Sequence, residues 1–164
     1  MVKSITIPAT PEGFARLQEF LDDYKRYLNE SVNLLLESML DVGERWAIND
    51  LGHIDTGETL TTIAAYRNGN KGVIVAGGAA IWIEFGTGVV RNTDNEPHPK
   101  AAELGMSPWG TLGKGLGSRP GGWWYLGDDG KAHHTYGIRG NKFLYNTAQY
   151  LAKACPDMAK EIFK

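Results

Sequence analysis

From Thr10 to about Asp50, apolar side chains recur at positions 14, 17, 21, 24, 28, 32, 35, 39, 42 and 46. Spacings of three and four make one stripe along a helix. Thr10 reads as the N-cap, whose hydroxyl accepts an otherwise unpaired backbone N–H. Pro11 suits the first helical position, where its missing N–H would be unpaired anyway. One unbroken helix over this region would be about 55 Å long at the α-helical rise, long for a chain of 164 residues. YLNES, residues 27–31, is therefore the expected place for a bend or break. The stripe is expected to pack on the protein's own sheet, or in part on a neighbouring subunit.

The pattern then shortens. TLTTIAAY (59–66) is rich in β-formers, RNGNKG (67–72) carries turn residues and VIVAG (73–77) follows, which predicts a hairpin with a long turn. AAIWIEFG (79–86) is too short an apolar run to separate strand from helix by periodicity. WWYLGDDGKAHHTYG (123–137) reads as a second hairpin turning at Asp128-Asp129-Gly130. Apolar positions at 144, 148, 151, 155, 158 or 159, and 162 predict an amphipathic C-terminal helix, which Pro156 should kink or restart. The expected class is α+β in a single domain. Its parts are a helical region over 10–50, a small antiparallel sheet core over 55–90, a flexible insertion over 91–122, a hairpin over 123–137 and a helix over 142–163.

Composition narrows the function classes. Apolar residues make up 42% and charged residues 22% of the chain, as in a globular domain with a real core. A formal charge of -2 gives no strong attraction to nucleic acid or acidic membranes. No apolar run approaches the roughly 20 residues of a membrane span, and MVKSITIPATPEG lacks the apolar core of a signal peptide. A single cysteine, Cys155, permits no internal disulfide and no cysteine-based zinc site, which fits a reducing cytosol. Glycine is unevenly spread, with 11 of 21 between residues 105 and 140.

Candidate chemistry is sparse. Asp55-Thr56-Gly57 matches the tripeptide of aspartic proteases, where two such carboxylates share a proton. One copy would imply a homodimeric enzyme, but about forty helical residues precede it. A turn in which Asp55 accepts backbone N–H bonds is the plainer reading. His133 and His134 are adjacent and would point to opposite faces of a strand, a poor arrangement for one metal. His53 and His98 complete the set of four, for which solvent-exposed positions in hairpins are expected. GTLGKGLGSRPGG (110–122) lacks phosphate-loop spacing. Trp109, Trp123 and Trp124 could stack on sugars or bases, or anchor loops and interfaces. Glu84 stands alone inside AAIWIEFGTG. It could be a catalytic carboxylate, the polar edge of a short element, or a subunit contact. If 79–85 is helical, Ile81 and Phe85 share one face while Trp82 and Glu84 project elsewhere. Glu84 is then expected to accept bonds from the turn at 86–88 or to pair with Arg91 or Arg139.

The order of these pieces resembles the tail-component family of long-tailed bacteriophages, also called tail-completion or neck proteins. The residues that carry it are Asp55-Thr56-Gly57 with Leu60, then Glu84-Phe85-Gly86-Thr87, then the helix start Phe143-Leu144; Leu60 falls one residue later than the commonest spacing. The resemblance covers roughly residues 35–163. It implies a non-enzymatic virion protein, made in the host bacterial cytoplasm, that needs no cofactor. It implies self-association into a ring, contact with a head-connector protein and with a tail tube or tail-terminator protein, no membrane, and passage of genomic DNA without sequence-specific contact. The alternatives are a minor tail or tail-terminator protein, the protease built on Asp55, and a sugar- or nucleic-acid-binding module.

Overall fold

The computed structural model describes residues 6–51, 62–87, 98–106, 122–127 and 129–164. Helix α1 runs without interruption over Pro11–Leu51, about 60 Å at the α-helical rise. Its start is as expected. The Thr10 hydroxyl accepts the Gly13 N–H at 3.1 Å, and the Thr10 carbonyl takes the first helical bond, from Phe14. The break expected at residues 27–31 does not occur. That stretch holds neither proline nor glycine, and it is braced by tertiary contact. Ser31 is buried, and the Tyr27 hydroxyl donates to the Lys164 carbonyl at the far end of the chain.

Two separate two-stranded antiparallel sheets follow rather than one sheet. Strands β1 (Ala64–Asn68) and β2 (Lys71–Val75) pair with Asn68 opposite Lys71. The turn is therefore only Gly69-Asn70, shorter than expected, and Gly69 supplies the positive φ of 63° that a tight hairpin turn requires. This hairpin lies along α1. The Ala65 N–H reaches the Glu44 carboxylate, Arg67 reaches Asn33, and a Cβ on Gly72 would stand 2.9 Å from Leu40. Strands β3 (Trp123–Leu126) and β4 (Ala132–Thr135) form the second hairpin. Its turn is closed by the Gly127 N–H on the Lys131 carbonyl and shaped by Gly130 at φ 70°.

AAIWIEF resolves as a short helix, α2 (Ala80–Phe85). Helix α3 (Phe143–Ile162) continues through Pro156 instead of restarting there. It packs on α1 with Trp46 stacked on Tyr150 at 5.1 Å. Gly43 marks the tightest crossing, since a Cβ there would meet both Leu151 and Ile74. Since α3 starts beside Asp50 and ends beside Tyr27, the two helices are antiparallel. The core sits at the C-terminal end of α1, where Ala47, Leu51, Ile63, Ala80, Ile83 and Phe143 cluster. No helix among the described residues is long and apolar enough to cross a membrane.

Candidate functional site: a buried Glu84–His98 junction

Helix α2 buries Ala80, Ile83 and Glu84 and exposes Ile81 and Trp82. Glu84 thus points inward, with Ala80 one turn before it and Ile83 beside it in the core cluster. The helix stops at Gly86, whose φ of 79° and ψ of 171° lie in a region open essentially to glycine alone. From there residues 83–87 run antiparallel to 138–142. The Thr87 N–H donates to the Ile138 carbonyl at 3.0 Å, and the Asn141 N–H to that of Ile83 at 2.7 Å. Gly86 bridges Arg139 through the backbone. The two chains approach so closely that a Cβ on Gly86 would stand 2.5 Å from the Gly140 nitrogen, and one on Gly140 would stand 2.6 Å from the Glu84 carbonyl oxygen.

This pairing delivers the Glu84 carboxylate to the start of α3. Lys142, the residue before that helix, has φ 63° and makes no side-chain cap. Glu84 replaces it. Its Oε2 accepts the Leu144 N–H at 2.8 Å and its Oε1 the Tyr145 N–H at 3.0 Å. These second and third N–H groups of the helix are the ones a local N-cap side chain would satisfy, and the negative charge meets the positive end of the helix dipole. His98 completes the arrangement. Its Nε2 lies 2.8 Å from Glu84 Oε1, while its Nδ1 accepts the Lys100 N–H at 3.0 Å. An acceptor at Nδ1 leaves the proton on Nε2, so His98 is a neutral donor to the carboxylate. Phe85 and Tyr145 flank the ring at centroid distances of 4.4 and 5.3 Å. Asn141 and Asn146 extend the network to Asp50 at the end of α1.

The arrangement binds structure together and offers little to a substrate. Both carboxylate oxygens and both imidazole nitrogens are engaged internally, and both side chains are about 5% exposed. Among the described residues no group of three His, Cys, Asp or Glu side chains is placed to hold a metal.

Of the residues singled out from sequence, Glu84, Phe85, Gly86 and Thr87 are brought together with Phe143 and Leu144, two segments about sixty positions apart. Phe143 is fully buried, and its carbonyl accepts the Thr147 hydroxyl at 2.7 Å. Asp55, Thr56, Gly57, Leu60 and Trp109 lie outside the described residues, as do Arg91 and Gly88. Three expectations need correction. Glu84 pairs with His98 and the α3 backbone, and Arg139 meets the segment only through its own backbone. His98 is a buried partner, unlike the hairpin residue His133, which bonds Asp129 in an exposed position. The insertion over 91–122 is not free at 98–106, where Ala101 is buried and the Met106 N–H closes on the Ala101 carbonyl. Sequence reading missed His98, Asn141 and Gly140. The usable signal for His98 was its place between Pro97 and Pro99, which restrict the backbone on either side. Trp123 and Trp124 alternate across the hairpin, with Trp124 edge-on to His134, so they do not form a common stacking surface.

No family model, curated protein or solved structure matches the chain.

Proposed function

We propose that this protein is a structural subunit of a phage neck, forming a ring that joins the head connector to the tail tube and lets the genome pass. The observation that carries the reading is the meeting of the Glu84–Thr87 and Phe143-Leu144 motifs in one internal junction, where every polar atom named above is bound to another part of the chain. Residues that resemble a family's shared motifs thus hold the fold and present no reactive group. Large apolar side chains remain at the surface, among them Phe14, Trp124 and Leu126, at 62, 68 and 75% exposure. Such surface suits a subunit whose neighbours cover it. The partners on this reading are further copies of the chain, a head-connector protein and a tail tube or tail-terminator protein. DNA passes without base-specific contact, and no cofactor takes part.

The test is particle joining. A phage lacking this gene should accumulate separate filled heads and tails in electron micrographs, and added purified protein should join them. Intact infectious particles without the protein would overturn the proposal. A peptidase activity lost in Asp55→Asn with the fold intact would overturn it in favour of an enzyme.

A further inference from the structure

Each two-stranded sheet has two backbone edges, and in the first sheet they differ. In an antiparallel ladder alternate residues turn their N–H and C=O outward. Asn68 and Lys71 close the β1–β2 turn, so Ala65 and Arg67 on β1, and Gly72 and Ile74 on β2, face outward. The β1 edge is engaged by α1, whose Glu44 carboxylate takes the Ala65 N–H. The β2 edge is open. The outward groups of Gly72 and Ile74 have no hydrogen-bond partner among the described residues, and Gly72, which has only backbone to show, is exposed. The second hairpin offers the same spacing. Its Gly127–Lys131 bond sets Trp124 and Leu126 outward on β3, again without a backbone partner among the described residues. Trp124, Tyr125 and Leu126 are 68, 50 and 75% exposed, and a two-stranded hairpin by itself is marginal in water.

We propose that the β2 edge of one copy pairs antiparallel with the β3 edge of a second, joining two sheets into one of four strands in the order β1, β2, β3, β4. The register that matches outward residues sets Gly72 opposite the partner's Leu126 and Ile74 opposite the partner's Trp124, each pair exchanging two backbone hydrogen bonds. Between them Val73 meets the partner's Tyr125, and beyond them Val75 meets the partner's Trp123. Val73, Ile74 and Val75 thus each face an aromatic ring, a favoured cross-strand combination, and the bare Gly72 leaves room for the leucine. Lys71 ends beside the partner's turn, which carries the exposed Asp129. Sidedness agrees. Gly72 and Ile74 face the helices, toward Leu40 and Gly43, so the partner's Trp124 and Leu126 turn from solvent to that side. A second β2 is the poorer occupant, since it sets Gly72 against isoleucine and valine against valine with no aromatic residue. The contact uses different surfaces on the two copies, so it propagates head to tail and can close as a ring. The choice of a second copy rests on the neck reading. One contact alone is weak, and ring closure strengthens it because each copy is then held at both ends.

The test mixes two variants of the full chain in a Cys155→Ser background, one with Val73→Cys and the other with Tyr125→Cys. The proposed register makes these a non-hydrogen-bonded pair with Cα atoms about 4.5 Å apart, within reach of a disulfide. In a glutathione buffer at about 1 mM chain, the mixed disulfide should form in preference to either symmetric one. Tyr66→Cys, at a position as exposed as Tyr125 but one strand further away, should show no such preference for Tyr125→Cys. A chain carrying both Val73→Cys and Tyr125→Cys should give a ladder of linked copies in joined particles. Leu126→Pro removes an outward N–H that the hairpin's own ladder does not use. It should leave melting unchanged and raise the protein needed for half-maximal joining of heads and tails roughly tenfold. A statistical mixture of disulfides overturns the contact, and a preference of Val73→Cys for itself replaces it with a two-fold pairing of β2. Normal joining without the ladder also overturns the contact and leaves the neck reading standing. A preferred mixed disulfide without joining upholds the contact and overturns the neck reading.

Discussion

Glu84 performs the task of an N-cap from sixty residues away, and this makes its chemistry testable by stability. Glu84→Ala would strip the acceptor from two α3 amides and from His98 Nε2, at a cost of about 2–4 kcal/mol. Glu84→Gln retains one oxygen but turns an NH₂ toward donors, and should cost roughly 1–2 kcal/mol. Denaturant unfolding measures both, and unchanged midpoints in the pair would rule out the junction as a support of the fold. Gly86 is constrained twice, by a backbone conformation that side chains avoid and by the Gly140 nitrogen 2.5 Å from any added Cβ. Gly86→Val should accordingly cost about 3 kcal/mol or more; a variant that melts with the parent would contradict the packing described here. The need for glycine at 86 could be suspected from the Gly-Thr-Gly run. The partner of Glu84 could not, because no local pattern links position 84 to positions 98, 144 and 145.

At the scale of elements, α3 contains an internal weakness. Pro156 has no N–H to return to the carbonyl one turn earlier, yet the helix runs on to Ile162. Its contacts with α1 therefore outweigh a local penalty of about 3 kcal/mol. Pro156→Ala should stabilise the protein by about 1–3 kcal/mol, read as a raised melting temperature, and a lowered one would show that a bend at 156 is needed for packing. The β3–β4 turn has a pH dependence of its own. The hydrogen bond from His133, with the Lys131 amide, holds the Asp129 carboxyl below the usual carboxylate range. A depressed carboxylate favours the folded turn above its unfolded pKa, and that contribution is lost as pH falls through the depressed value. The protection of the amides across 129–131, taken relative to their intrinsic exchange at each pH, should therefore fall at the acid end, and Asp129→Asn should flatten the profile. The cap at Thr10, the two hairpins and α3 were legible because caps, turn residues and periodicity are local signals. The uninterrupted course of α1 through 27–31 was not, since Ser31 is buried and Tyr27 is held by the far end of the chain.

For the molecule as a whole, the insertion separates into parts. His98 anchors 98–106 to the junction and Ala101 is buried, which leaves 107–121 as the part to test for assembly. That stretch carries Trp109, Leu112 and Leu116 among many glycines, apolar groups that a solvated linker has no use for. Replacing 107–121 with a short Gly-Ser linker should leave melting unchanged, because the Glu84–His98 bond is retained, and should weaken the joining of heads to tails. Normal joining by the variant would deny the segment an assembly role.

The amino-acid order alone determined the α+β class and most of the elements of this protein, because a helix cap, a cluster of turn residues and a stripe of apolar residues are properties of neighbours in sequence; the helical state of 80–85 was left open by it. It also marked Glu84 as out of place in its apolar run. What Glu84 does was decided only by the tertiary structure. Burying a carboxylate is costly unless donors converge on it, and those donors come from His98 and from the start of α3. Only chain folding brings them within 3 Å. The same holds for the stripe on α1, continuous in sequence, along which Phe14, Leu21, Tyr24 and Val32 are nevertheless left exposed.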